Sequence, residues 1–155
     1  MEPRKAPLVR RRPYPLTVFY DASCPLCANE MHALKMRDCG NRIELVDCSS
    51  PAFSDAGLLA AGVTREMLMK RIHAHDAYGR WLVGADCFEA LYRAVGAEHL
   101  ASIWGSRRLR ALLDRLYALV ADHRQALSRL GLHVLVRAIL SRGAATPRCE
   151  SCPRH

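Results

Sequence analysis

Apolar positions in this chain come in short, dense runs rather than in one long stretch. Leu16-Thr17-Val18-Phe19-Tyr20 is β-branched and aromatic, with Thr17 its one polar break. That pattern predicts a strand buried on both faces, the usual condition in a parallel sheet. From Pro25 to about Asp38 it gives way to an imperfect helical stripe, with Leu26, Met31 and Leu34 apolar and Asn29, His32 and Lys35 polar. Gly40, just beyond, predicts the stop. Ile43-Glu44-Leu45-Val46-Asp47 reads as a second strand, so the first three elements form a right-handed βαβ unit with parallel strands.

Ser49 to Gly62 is a loop of small residues with one short helix expected over Asp55–Ala61. Thr64 is a good N-cap for a helix running to about Lys70. Ile72–Asp76 and Trp81–Val83 flank Ala77-Tyr78-Gly79-Arg80, and the glycine in that connection predicts a hairpin. Gly84 then supplies a turn or a close backbone approach before a helix over Ala85–Val95. The predicted order is β-α-β-α-β-β-α, an α/β fold.

Four parts are expected along the chain. Residues 1–15, rich in proline and basic side chains, read as a flexible arm, and residues 16–96 as the α/β domain. Residues 97–142 read as a helical extension, with Leu109, Leu112, Leu113, Leu116, Tyr117 and Val120 at helical spacing and arginines on the opposite face. The extension is expected to pack on the core, with Leu132–Leu140 as a further short helix. A homodimer contact and an interfacial membrane helix are the alternatives. Residues 143–155 read as a flexible tail carrying Cys149 and Cys152.

Composition narrows the class. Half of the 155 residues are apolar and a quarter charged, the balance of a soluble globular domain with a core of its own. The net charge of +8 is scattered, apart from Arg4-Lys5 and Arg10-Arg11-Arg12, and no nucleic-acid motif accompanies it, so no nucleic-acid partner is expected. Seven cysteines, an odd number, exclude a fully paired extracellular framework for a monomer. No apolar h-region follows the basic N-terminus, so no secretory signal is expected. Leu132–Leu140, broken by His133 and Arg137, falls well short of the ~18–20 apolar residues that span a bilayer. The expected location is the cytoplasm, where a cysteine pair is more often catalytic or metal-binding than structural.

The candidate chemistry sits where the first strand turns into the first helix, at Tyr20-Asp21-Ala22-Ser23-Cys24-Pro25-Leu26-Cys27. A cysteine at a helix N-terminus meets unsatisfied N–H groups and the positive end of the helix dipole, and both favour the thiolate. Cys27 lies one turn on, on the same face, where it can exchange with a mixed disulfide at Cys24. Pro25 suits the first helical position and stiffens the loop. Two cysteines at this spacing also begin many zinc sites. Asp21 reads either as a turn former or as an acid that relays a proton. Cys48 lies past the second strand at the same sheet edge and reads, like Cys87, as a small buried side chain; Cys39 reads as incidental. His73 and His75 share a face and are expected at exposed polar positions, with a metal grip as the alternative. Cys149 and Cys152 could relay electrons, bind metal with His155, or have no role.

Asp21-x-x-Cys24-x-x-Cys27 after an apolar strand resembles the signature of the DCC family of thiol-disulfide oxidoreductases. The likeness continues through Val46-Asp47, Asp76-Ala77-Tyr78-Gly79-Arg80 and Gly84-Ala85-Asp86-Cys87-Phe88-Glu89-Ala90-Leu91-Tyr92. It implies a thioredoxin-like core with a C-terminal helical extension, and a redox role. Thioredoxins carry a cis-proline just before the hairpin that guides the substrate backbone. Here that region is Met67-Leu68-Met69-Lys70-Arg71, which has no proline and predicts a trans peptide.

The leading expectation is a thiol-disulfide oxidoreductase in which Cys24 attacks and Cys27 resolves. Asp21 tunes the thiols, with Pro25 and Gly84 in support. No metal or cofactor is expected, and the partners are protein or small-molecule thiols and disulfides. The rival readings are a zinc-binding interaction module and a catalytically silent thioredoxin-like adaptor.

Overall fold

The computed structural model describes residues 13–129. Four strands form one sheet: β1 Leu16–Tyr20, β2 Ile43–Asp47, β3 His73–His75 and β4 Trp81–Val83, in the order β2-β1-β3-β4. β1 pairs in parallel with β2, Leu16 opposite Ile43 and Tyr20 opposite Asp47. It pairs antiparallel with β3, Val18 opposite Ala74, and β3 pairs antiparallel with β4. The helices are α1 Pro25–Lys35, α2 Arg65–Lys70, α3 Ala85–Ala94, α4 Glu98–Trp104 and α5 Arg110–Arg129. This is the thioredoxin-like arrangement, and none of the described helices is long and apolar enough to cross a membrane.

The apolar run of β1 is explained by burial on both sides of the sheet. Leu16, Val18 and Tyr20 join Met31, Leu34 and Leu91 in one core. Phe19 points the other way, into a second cluster with Cys48, Val63 and Leu68. A central strand walled on both faces has no need of polar alternation.

Several boundaries differ from the sequence expectation, each for a local reason. α1 stops at Lys35, short of Asp38, because the buried Asp38 carboxylate turns back on the chain. It accepts from Arg42 N at 2.8 Å, Ile43 N at 2.9 Å and Lys35 Nζ at 3.1 Å. The left-handed residue after the helix is Asn41, φ 46°, rather than Gly40. In the loop before α2, only a 3₁₀ turn over Leu59–Ala61 forms, closed by Gly62. β3 is shorter than Ile72–Asp76, because the Asp76 side chain leaves the ladder to accept from Tyr78 N and Arg80 N in the hairpin turn.

His73 and His75 do share a face, but they are not exposed polar positions. His73 is buried, and both rings pack on Trp81, with centroids 6.4 Å and 5.3 Å away. His73 Nδ1 lies 2.8 Å from the Arg71 carbonyl oxygen, an acceptor that fixes the proton on that nitrogen. Burial holds the His73 pKa below its ordinary value.

Thr64 caps α2 as expected, its hydroxyl accepting from Met67 N at 3.4 Å. The Met67–Arg71 stretch is trans throughout; among the described residues the one cis peptide is Tyr14–Pro15. Arm residues 1–12, the Leu132–Leu140 segment, and Cys149, Cys152 and His155 lie outside the described residues.

Candidate redox site

Two carboxylates build the turn that presents the cysteines. Asp21 Oδ1 accepts from Ser23 N at 3.0 Å and from the Ser23 hydroxyl, an Asx turn. Asp47, at the end of β2, accepts from Ala22 N at 3.2 Å and from Ser49 N at 2.8 Å. These bonds hold the Asp47 carboxyl below its ordinary range despite the opposing effect of burial. The β1–α1 loop is thereby tied to the neighbouring strand. Cys24 is the N-cap of α1, with extended backbone and Pro25 beginning the helix. Its carbonyl oxygen accepts from Ala28 N at 2.9 Å.

One helical turn brings the two sulfurs together. Cys27 Sγ donates to Cys24 Sγ at 3.0 Å, and no disulfide joins them. The hydrogen bond to Cys24 pushes the Cys27 pKa well up, and burial and the Cys24 charge add to it. Arg124 acts in the opposite sense, and Asp21 adds a smaller upward push. The hydrogen-bonded proton of the pair is thus held on Cys27, and Cys24, at the positive end of the helix dipole, is its acceptor.

The two sulfurs differ in access, and not in the way that thioredoxin-like reasoning suggests. Cys24 has 0% of its surface exposed, whereas Cys27 is only partly buried and forms part of a cavity wall. That cavity has a volume of about 390 Å³ and lies between α1, α3 and α5. Its walls include Leu26, Met31, Phe88, Trp104, Leu116 and Val120. Polar atoms are sparse: the Tyr92 hydroxyl is turned to Glu30 Oε1 at 2.6 Å, and burial raises the Glu30 carboxyl.

α5 supplies residues that sequence reasoning missed. Arg124 Nη2 pairs with Asp21 Oδ2 at 3.1 Å, and the same guanidinium donates to the Lys70 carbonyl at 3.2 Å and to the Met69 carbonyl. Two turns earlier, the Tyr117 hydroxyl accepts from Ile72 N at 2.8 Å. Burial pushes the Tyr117 phenol up to about 12. Its ring lies so close to Gly84 that a Cβ there would sit 3.2 Å from two ring carbons. Gly84, with φ +58°, therefore serves both the turn and the close approach. The only sequence signal for Arg124 was its seven-residue spacing from Tyr117, which puts both on one helix face.

Asp21, Cys24, Pro25 and Cys27 are together in one loop and helix start. Asp21 behaves as the turn former and as the partner of Arg124. Cys48 and Cys87 are fully buried, and Cys39 is exposed. Among the described residues no group of three or more His, Cys, Asp or Glu side chains could hold a metal ion.

A family model described as DCC1-like thiol-disulfide oxidoreductase matches residues 18–130. An uncharacterized chloroplastic protein of Arabidopsis thaliana is 29% identical over 125 residues, which is 79% of this chain and 58% of the relative. The chain thus spans little more than half the length of that curated relative. No solved structure matches the chain.

Proposed function

Since the chain belongs to the DCC1-like thiol-disulfide oxidoreductase family, we propose that Cys24 and Cys27 are its redox centre and cycle between a dithiol and a disulfide. In the forward cycle the pair gives up two electrons and two protons. One S–S bond forms between Cys24 and Cys27, and one breaks in the substrate, which leaves as two thiols. The Sγ–Sγ contact of 3.0 Å at a helix N-terminus carries this reading. Asp21 shapes the loop that holds the pair, with Pro25 and Gly84 in support. No cofactor is required, because a second thiol can return the electrons. An odd cysteine count fits a reducing compartment such as the cytoplasm.

The test uses the full chain with Cys39, Cys149 and Cys152 replaced by serine, so that thiols away from the pair do not contribute. Mild oxidation should close one Cys24–Cys27 disulfide, read by peptide mass mapping. Cys24→Ser and Cys27→Ser should each abolish turnover of a model disulfide. Wild-type rates in either variant would overturn the proposal.

A further inference from the structure

The backbone that thioredoxins use to hold a peptide is already occupied in this chain. In the segment before β3, Ile72 N donates to Tyr117, and the Met69 and Lys70 carbonyls accept from Arg124. An extended peptide laid along this segment would have to displace those bonds. What lies open beside the pair is the cavity, and the cysteine in its wall is Cys27. Its volume of about 390 Å³ falls in the ~300–1,000 Å³ range of small-molecule sites.

One charge at this site has no carboxylate partner among the described residues. Arg71 is exposed and borders the cavity, and its charge lowers the Tyr117 phenol. Of the other charged groups there, Arg124 is paired with Asp21, and Glu30 is capped by Tyr92 and raised by burial.

We propose that the cavity is the substrate site and takes a small, mainly apolar disulfide with an acidic end, and that the mixed disulfide forms on Cys27 rather than Cys24. This rests on the redox reading above and names its substrate class. The proton shared between the sulfurs passes to Cys24, and Cys27 attacks the substrate disulfide, expelling one thiolate. Cys24 then loses its proton to that thiolate and attacks Cys27 Sγ, which releases the second substrate half as a thiolate that takes its proton from water. One substrate S–S bond is broken, one is made in the protein, and the apolar half-substrate rests in the cavity between the two steps. In reverse, a substrate thiol attacks the accessible Cys27, and Cys24 departs as the thiolate stabilised by the helix.

The experiment mixes the pre-reduced chain, with Cys39, Cys149 and Cys152 as serine, with one disulfide at a time and follows released thiol in a single turnover. Mercaptohexanoate disulfide should react about tenfold faster than glutathione disulfide. Arg71→Ala should slow the acid by about fivefold and leave its amide analogue unchanged. The Cys24→Ser variant should hold a mercaptohexanoate adduct on Cys27, and native Cys27→Ser should form none on Cys24. Iodoacetamide on the wild-type pair gives the same comparison without a variant at either sulfur, and Cys27 should be modified first. Faster reaction with glutathione disulfide, or Arg71→Ala slowing acid and amide alike, would overturn the substrate class while the redox reading stands. An adduct on Cys24, or first alkylation there, would overturn the role of Cys27. Release of thiol from none of the disulfides would overturn the redox reading, and this inference with it.

Discussion

Replacing Asp21 by Asn should destabilise the fold by removing one charge of its pair with Arg124. The Asp21 side chain is 2% exposed and that of Arg124 16%, so their 3.1 Å contact lies largely out of water. Breaking a buried pair from one side costs ~3–5 kcal/mol, because the other charge is left behind. Here Arg124 keeps the Met69 and Lys70 carbonyls, and the amide keeps an acceptor for Ser23 N, so the expected loss is about 2–3 kcal/mol. At ~2–4 °C per kcal/mol for a chain of this length, the midpoint should fall by about 4–12 °C. Arg124→Leu should cost about 3 kcal/mol, since Asp21 is then stranded. The double variant should recover about 2 kcal/mol of the summed losses. Urea unfolding of the four proteins measures this coupling, and a value below about 0.5 kcal/mol would refute the pairing. The same variants carry a chemical sign. Asp21 raises the Cys27 pKa and Arg124 lowers it, so Asp21→Asn should speed Cys27 alkylation at neutral pH and Arg124→Leu should slow it.

Gly84→Ala should cost about 2 kcal/mol, because it combines φ +58° with a Cβ 3.2 Å from the Tyr117 ring; urea midpoints check it. Cys24→Ser removes the main cause of the raised Cys27 pKa, so the pH profile of Cys27 alkylation should move to lower pH. Burial and the Asp47 charge push the Cys48 thiol up to about 12 from an ordinary value near 9. The unfolded chain therefore loses this proton first, and between those values the folded state binds more protons. Stability should fall as pH rises above about 9, and Cys48→Ala should flatten the slope measured by urea unfolding.

What was legible in the sequence is what depends on neighbours along the chain. β1, β2 and the start of α1 follow from apolar runs and from a proline at a helix start. The Thr64 cap and the strained Gly84 follow from residue chemistry. The end of α1 was misread because Asp38 looks like any helical acid until Arg42 and Ile43 turn back to its carboxylate. His73 and His75 alternate with Ala74 as solvent-facing residues would, yet Trp81 covers them from the next strand. Arg124 resembled the other arginines of a solvated face, and its partner lies far upstream in the chain. The cavity is a product of how α5 docks, and no local pattern encodes that.

On the redox role proposed for Cys24 and Cys27, the enclosure of Cys24 also bears on how the protein ages under oxidative stress. Peroxide arriving through the cavity meets Cys27, and a sulfenic acid formed there has the neighbouring sulfur already within reach. It condenses to the recoverable disulfide in competition with further oxidation, and the shielded sulfur is spared the irreversible sulfinic and sulfonic states. A centre with both sulfurs open to solvent would lack that safeguard.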